Sequence, residues 1–306
     1  MAERSAPLVT RRRLLGAAAA GALAPHLGPA ASLAQAAARV PAGGAPPLAT
    51  GPALRTLSFN VRYASDEIPH SWAERRPLLS ALLCTHAPHL IGTQEGKFHQ
   101  LRDIQTDLGP CYDWIGTGSE GGSRGEYMAV FYDTRRLDPR DYGHYWLSDT
   151  PDRIASNTWG NDNIRMVTWV RFADRITGRR FYAVNTHLDH ISQPSRERSA
   201  ALIARRLRQF RPQLPCIVTG DFNAAAHANP AYETLLRSAG LTDTWDTAES
   251  RGTLYGTYHG WRPLTPDGDR IDWILTSPTV RTTATHLLTT AQAASDHLPV
   301  AADLVL

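Results

Sequence analysis

Apolar residues recur along this chain at two spacings, and the spacings separate its elements. Short alternating or continuous apolar runs rich in β-branched and aromatic residues predict strands over residues 54–62, 90–94, 127–132, 166–172, 181–186, 216–219, 271–276 and 300–306. Apolar positions three and four apart predict helices over 74–84, 98–107, 195–210 and 231–238. Strands alternate with helices, so the pattern predicts a mixed α/β domain that begins near residue 54 and runs to residue 306. Polar residues punctuate the pattern where strands end: Asn60, Glu95, His187, Asp221 with Asn223, and Asp272. Strand ends are where α/β proteins usually present reactive groups.

The first residues change the charge argument. Residues 37–53 are rich in Ala, Gly and Pro without a hydrophobic period and read as a flexible linker. Ahead of them, Thr10-Arg11-Arg12-Arg13-Leu14-Leu15 leads into an uncharged run reaching Ala24, and Ala34-Gln35-Ala36 offers a small-x-small cleavage site. That order predicts a twin-arginine signal peptide over residues 1–36, cleaved after Ala36, and hence export to the periplasm or beyond. A disordered basic tail and a retained anchor are the other readings. The apolar run is shorter than the ~20 residues a membrane-spanning helix needs, so no transmembrane segment is expected in the mature form.

The formal charge of +3 is accounted for by Arg4, Arg11, Arg12 and Arg13 against Glu3, all within the predicted signal. The mature chain is therefore electrically balanced, and it lacks the net basic character that often accompanies nucleic-acid binding, although a local patch stays open. Lys97 is the only lysine, so nearly every cation is an arginine, which suits bidentate phosphate contacts. Cys84, Cys111 and Cys216 lack metal-ligand spacing, and Cys216, inside an apolar strand, is expected to be a buried free thiol. A monomer is expected.

Three segments concentrate the chemistry. Ile217-Val218-Thr219-Gly220-Asp221-Phe222-Asn223 is an apolar strand ending in a turn that can aim a carboxylate and a carboxamide at one point. Asp272 interrupts the apolar run Ile271-Asp272-Trp273-Ile274-Leu275, and a carboxylate there needs a partner to offset its burial. His297, in Ser295-Asp296-His297-Leu298 before the last strand, is the natural partner; an ion pair with Arg270 is the blander one. Asn60 and Asn223 taken singly would more often cap turns.

The ordered series Leu57-Ser58-Phe59-Asn60, Thr93-Gln94-Glu95, Gly125-Glu126-Tyr127, Asn185-Thr186-His187-Leu188, Gly220-Asp221-Phe222-Asn223, Arg270-Ile271-Asp272 and Ser295-Asp296-His297 resembles the endonuclease/exonuclease/phosphatase (DNase I-like) superfamily over residues 54–306. The resemblance implies a four-layer α/β sandwich of two packed mixed β-sheets flanked by helices. It implies a hydrolase of phosphoesters using Mg²⁺ or Mn²⁺, with Glu95 the principal ligand and Asn60 and Asp296 completing or orienting the shell. Asp221 would orient and deprotonate the attacking water, Asn223 would donate to a phosphoryl oxygen, and His297 held by Asp272 would stabilise charge. His187 would face the other side of the phosphate with Glu126 as its carboxylate, and Arg165 matches a phosphate-contacting arginine. His190, His259 and Trp261 are candidate substrate contacts.

Substrate identity stays open. The balanced charge weakens a nucleic-acid reading, and His187 stands where abasic-site relatives carry tyrosine. No exposed aromatic hairpin suggests lipid docking, since Tyr145-Trp146-Leu147 reads as a strand. A small, sugar or lipid-derived phosphate remains, with an extracellular nuclease or an inactive phosphate-binding module as alternatives.

Overall fold

The computed structural model describes residues 51–306; the predicted signal peptide and residues 37–50 of the linker lie outside the described residues. The chain runs through β1 (Leu54–Asn60), α1 (Trp72–His86), β2 (Leu90–Gln94), α2 (Phe98–Leu108), β3 (Tyr112–Ile115), β4 (Val130–Asp133) and β5 (Leu137–Trp146). It continues through β6 (Met166–Asp174), β7 (Arg180–His187), α3 (Gln193–Gln209), β8 (Cys216–Asp221) and α4 (Pro230–Ala239). The last elements are β9 (Thr242–Asp243), α5 (Thr244–Thr247), β10 (Ser250–Arg251), β11 (Asp272–Thr276), β12 (Arg281–Leu287) and β13 (Val300–Val305).

Seven strands pair in the order β10-β12-β13-β1-β2-β4-β3 and six in the order β5-β6-β7-β8-β11-β9. Both sheets are mixed: β1 and β2 are parallel while β1 and β13 are antiparallel, and β7 and β8 are parallel while β8 and β11 are antiparallel. Period-two alternation divides the faces. Leu57 and Phe59 of β1 pack with Leu79 and Leu83 of α1 and with Leu101 and Ile104 of α2. Val218 of β8 packs with Ile203 and Leu207 of α3 and Leu235 of α4. Between the sheets, Val130, Phe172, Ile217, Ile274 and Val300 form a shared apolar layer. Helix, sheet, sheet and helix thus make the four layers that the resemblance implied.

Element boundaries follow local capping. Ser71 accepts from the Glu74 backbone while Glu74 accepts from the Ser71 backbone, a reciprocal box that starts α1 two residues before the apolar period does. Ser192 and Asn229 cap α3 and α4 ahead of Pro194 and Pro230, again earlier than periodicity places them. β3 and β12 were not expected from the pattern, and of β5 only the Tyr145-Trp146 end was. β5 is a polar edge strand with a register shift after Pro139, a position where an edge tolerates proline. β12 is threonine-rich rather than apolar. Cys216 is buried and free, as expected, and no described helix is long and apolar enough to cross a membrane.

Two partly buried histidines, His89 and His144, couple the fold to pH. Burial, with Arg136 and Arg55 adding to it, lowers His89 to about 4; burial alone lowers His144 to about 4. His89 Nδ1 accepts from the Arg55 backbone at 2.9 Å, a bond made by the neutral ring. Both folded values lie below the unfolded one near 6.5, so the unfolded chain binds more protons in between. Stability is then full above about pH 6.5 and falls as pH drops towards 4, by on the order of 1 kcal/mol per histidine after solvent screening. Urea denaturation at stepped pH, with His89→Asn flattening the slope, checks this; a slope of opposite sign refutes it.

Candidate active site

Middle strands of both sheets deliver their C-terminal residues to one end of the sandwich. Parallel pairing sets Asn60 beside Gln94 in one sheet and His187 beside Asp221 in the other. Antiparallel pairing sets Asp272 opposite Asp221, so the first residue of β11 meets the last of β8. Below this end, a buried amide network ties sheet to sheet. Gln94 Nε2 donates to Asn185 Oδ1 at 2.7 Å, and Asn185 Nδ2 donates to the carbonyls of Thr93 at 2.7 Å and Ala129 at 2.9 Å. Thr219 Oγ1 donates to the same Asn185 oxygen at 3.0 Å. Gly92 makes room for this, because a β-carbon there would collide with the Thr219 hydroxyl.

Asp221 is the hub. Its Oδ2 lies 3.3 Å from His187 Nε2 and 3.7 Å from His297 Nε2, and accepts from Asn60 Nδ2 at 3.0 Å. Its Oδ1 accepts from the Asn223 backbone at 2.9 Å. Burial alone would raise this carboxyl, but the two imidazoles outweigh burial and hold it well below the usual carboxylate range. Asn60 Nδ2 also donates to Glu95 Oε1 at 2.9 Å, and the Tyr63 backbone donates to Glu95 Oε2 at 3.1 Å. Glu95 too is lowered, burial being offset by His187 and His297 and by these hydrogen bonds.

His297 Nδ1 meets Asp272 Oδ2 at 2.9 Å. Burial works against the imidazolium, yet Asp272 and Asp221 lift it to about 10. The alternative partner for Asp272 is excluded by geometry: Arg270 Nη2 pairs with Asp243 at 2.7 Å. Glu95, Asn223 and Arg62 adopt positive φ of 65°, 48° and 53°. Non-glycine residues there cost about 1 kcal/mol or more each, and such strain gathers where side chains must be aimed.

The expected Glu126–His187 pair is not formed. Arg165 stands between them: its Nη1 is 2.8 Å from His187 Nδ1 and 3.7 Å from Glu126 Oε2, and its Nη2 is 3.3 Å from His190 Nδ1. Guanidinium can only donate, so Nδ1 accepts and the matching tautomer carries its proton on Nε2, towards Asp221. Asn223 Nδ2 lies 3.0 Å from that Nε2 and donates to the Leu188 carbonyl at 3.0 Å. Sequence spacing gives no hint that the buried Arg165 fills this gap.

Glu95, His187, Asp221, Asn223, His297, Asp296, Glu126, Arg165 and His190 line one cavity of about 460 Å³. Asn60 and Asp272 stand behind it. His259 and Trp261 do not line it. His259 is buried, its Nδ1 accepting from the Trp261 backbone at 3.1 Å, and burial and His297 lower it to about 4. Trp261 stacks on His70 with ring centroids 3.8 Å apart. From that loop it is Tyr258 that reaches the cavity, 5.0 Å from the His297 ring. The pattern also passed over Arg62, Tyr63 and Asn163, which line it.

Arg75 acts from beneath. Arg75 is 1% exposed as a residue, and its guanidinium donates to the carbonyls of Val61, Arg62, Tyr63, His70 and Ala294. It therefore ties the exit of β1 to the segment carrying Asp296 and His297.

Ligand atoms of Glu95, His187 and Asp221 lie within 4.8 Å of one another, and those of Asp221, Asp272 and His297 form a second such group. The first suits a divalent ion, because the Glu95 and Asp221 oxygens are hard donors. Of the expected metal set, Asp296 lies outside that group and faces Arg62 Nε at 3.7 Å, and Asn60 turns its amide nitrogen to Glu95 and Asp221.

Carboxylates able to hold a divalent ion, beside imidazoles and amides that can face a phosphoryl group, define a hydrolase of phosphoester bonds on a two-sheet α/β scaffold. Residues 57–297 match the model of the endonuclease/exonuclease/phosphatase family, and the chain belongs to that family. An endonuclease/exonuclease/phosphatase from Bacteroides vulgatus is 32% identical with a TM-score of 0.78, covering 83% of this chain and 99% of its own. A mannosyl-6-phosphatase from Bacteroides thetaiotaomicron is 32% identical with a TM-score of 0.77, covering 83% and 100%. The human nocturnin catalytic domain, 20% identical with a TM-score of 0.65 over 84% and 96%, shares the fold. No curated protein sequence matches the chain.

Proposed function

We propose that this protein is an exported, Mg²⁺- or Mn²⁺-dependent phosphatase that cleaves a small or sugar-derived phosphomonoester by in-line attack of water. The observation that carries the reading is one ionised carboxylate, Asp221, held between two imidazoles and joined through Asn60 to Glu95. Asp221 orients the water and accepts its proton. His297, charged and fixed by Asp272, offsets negative charge on the phosphoryl oxygens, and Asn223 and His187 face the group from the ends of β8 and β7 in the other sheet. A divalent ion at Glu95, with Asp221 and His187 in reach, would supply Lewis acidity and charge neutralisation. The sugar-phosphate preference draws support from the 32% identical mannosyl-6-phosphatase. A nuclease using the same site is the second reading, and a phosphate-binding module without turnover is the third.

The test is turnover by the purified protein on mannose 6-phosphate, p-nitrophenyl phosphate, bis-p-nitrophenyl phosphate, plasmid DNA and RNA, with metal or EDTA. Metal-stimulated release from the monoesters is expected. Glu95→Gln should need about tenfold or more metal for half-maximal rate. Preferential nucleic-acid cleavage selects the second reading, and silence on every substrate removes the enzyme reading. In the native host, activity is expected outside the cytoplasm and retained within it by Arg12→Lys/Arg13→Lys; cytoplasmic wild-type activity refutes export.

A further inference from the structure

Past Glu126 and Asn163, which line the active-site cavity, a second cavity of about 250 Å³ shares both residues and carries the pocket onward as a groove. One wall comes from Ser119, Glu120 and Gly125, the other from Asp162 and Ile164, with Lys97 also lining it. We infer that this groove is the subsite for the leaving group and that it takes a polyhydroxylated alcohol such as a hexose ring. The inference rests on the phosphomonoesterase reading above and adds where the alcohol sits and what it is.

Position comes first. The groove begins at Glu126, whose Oε2 lies 3.7 Å from Arg165 Nη1, and the same guanidinium nitrogen holds His187. An ester with its phosphorus among His187, Asp221 and His297 and its alcohol directed past Arg165 enters the groove.

Chemistry then selects the class. Among the described lining residues three carboxylates, Glu120, Glu126 and Asp162, stand against one cation, Lys97, and Arg165 reaches only Glu126 at the inner end, so the further phosphates of a nucleic-acid strand meet repulsion. Among the described residues no aromatic ring lines the groove, so a base finds nothing to stack on, and Ile164 is the one aliphatic lining residue, too little for an acyl chain. Carboxylates, a carboxamide, a hydroxyl and an ammonium offer the acceptors and donors that closely spaced hydroxyls require.

The walls are also preformed. Ser119 and Glu126 are joined twice: the Ser119 backbone donates to the Glu126 carbonyl at 2.9 Å, and the Glu126 backbone donates to Ser119 Oγ at 3.2 Å. Trp146 Nε1 donates to the Ser119 carbonyl at 2.7 Å, and Tyr127 Oη donates to the Gly122 carbonyl at 2.7 Å. Gly125, at φ +78°, is required, because a β-carbon would collide with the Ser119 hydroxyl. Across the groove, Asp189 Oδ2 accepts from the backbones of Asp162 at 3.0 Å and Asn163 at 3.5 Å. Little ordering entropy is left to oppose binding.

Calorimetry on the Asp221→Ala protein with Mg²⁺ tests this without turnover. Glucose 6-phosphate and ethyl phosphate are both dianionic monoesters, so the phosphate site contributes alike. The hexose ester is expected to bind about tenfold or more tightly, and Glu120→Ala/Asp162→Ala, at two exposed positions, should abolish that preference. Equal affinities in the parent, or a preference that survives the double variant, overturn the inference. The hydrolysis reading is judged on wild-type turnover, so either can fail alone.

Discussion

Asp221→Ala is expected to lower kcat on a phosphomonoester by about three orders of magnitude or more at saturating metal, with KM changed far less. The variant removes the acceptor for the attacking water's proton, an effect of about 10²–10⁴ for a positioned base. It also leaves the imidazoles of His187 and His297 without the oxygen lying 3.3 and 3.7 Å from them, and Asn60 without one of its two carboxylate acceptors. Groups that act as one unit lose nearly everything when one member goes. Steady-state kinetics with a thermal midpoint on the same sample separate lost chemistry from lost fold. A folded Asp221→Ala protein within tenfold of wild type rejects Asp221 as the water-activating group.

The second large effect is Asp272→Asn, for which kcat should fall roughly a thousandfold while the metal titration stays near that of wild type. Asp272 lines no part of the cavity; it works through its 2.9 Å contact with His297 Nδ1. An asparagine removes the negative charge that helps lift His297 to about 10 against burial, and can present an N–H to Nδ1, which favours the wrong tautomer. The distinguishing measurement is a double-mutant cycle. Adding Asp272→Asn to His297→Ala should cost almost nothing more, because the ring it positions is gone. Additive losses would assign Asp272 a separate structural role.

Periodicity located the strands that carry the site, because β1, β2, β7 and β8 are central in their sheets and buried on both faces. It failed on β3, β9, β10, β12 and all but the Tyr145-Trp146 end of β5. β5 and β3 are edges, β9 and β10 have two residues each, and β12 buries threonines where an apolar run would show, so none carries a strong hydrophobic signature of its own. Motif order was legible for the same reason that strand ends are: each polar residue follows an apolar run and stands out against it.

Contacts between motifs were not legible. Arg165 between Glu126 and His187, Tyr258 rather than His259 at the cavity, and Arg75 bonded to five carbonyls all depend on which side chain fills a space between segments far apart in sequence. The chain alone determined the class of fold, the family, and which residues stand at the ends of buried strands, since these follow from local pattern and order. The tertiary structure alone decided that Asp221 sits between two imidazoles, that Asn60 bridges it to Glu95, and that the cavity continues into a carboxylate-lined groove. Those are distances across two sheets, set by register and packing, and a linear pattern carries no term for them.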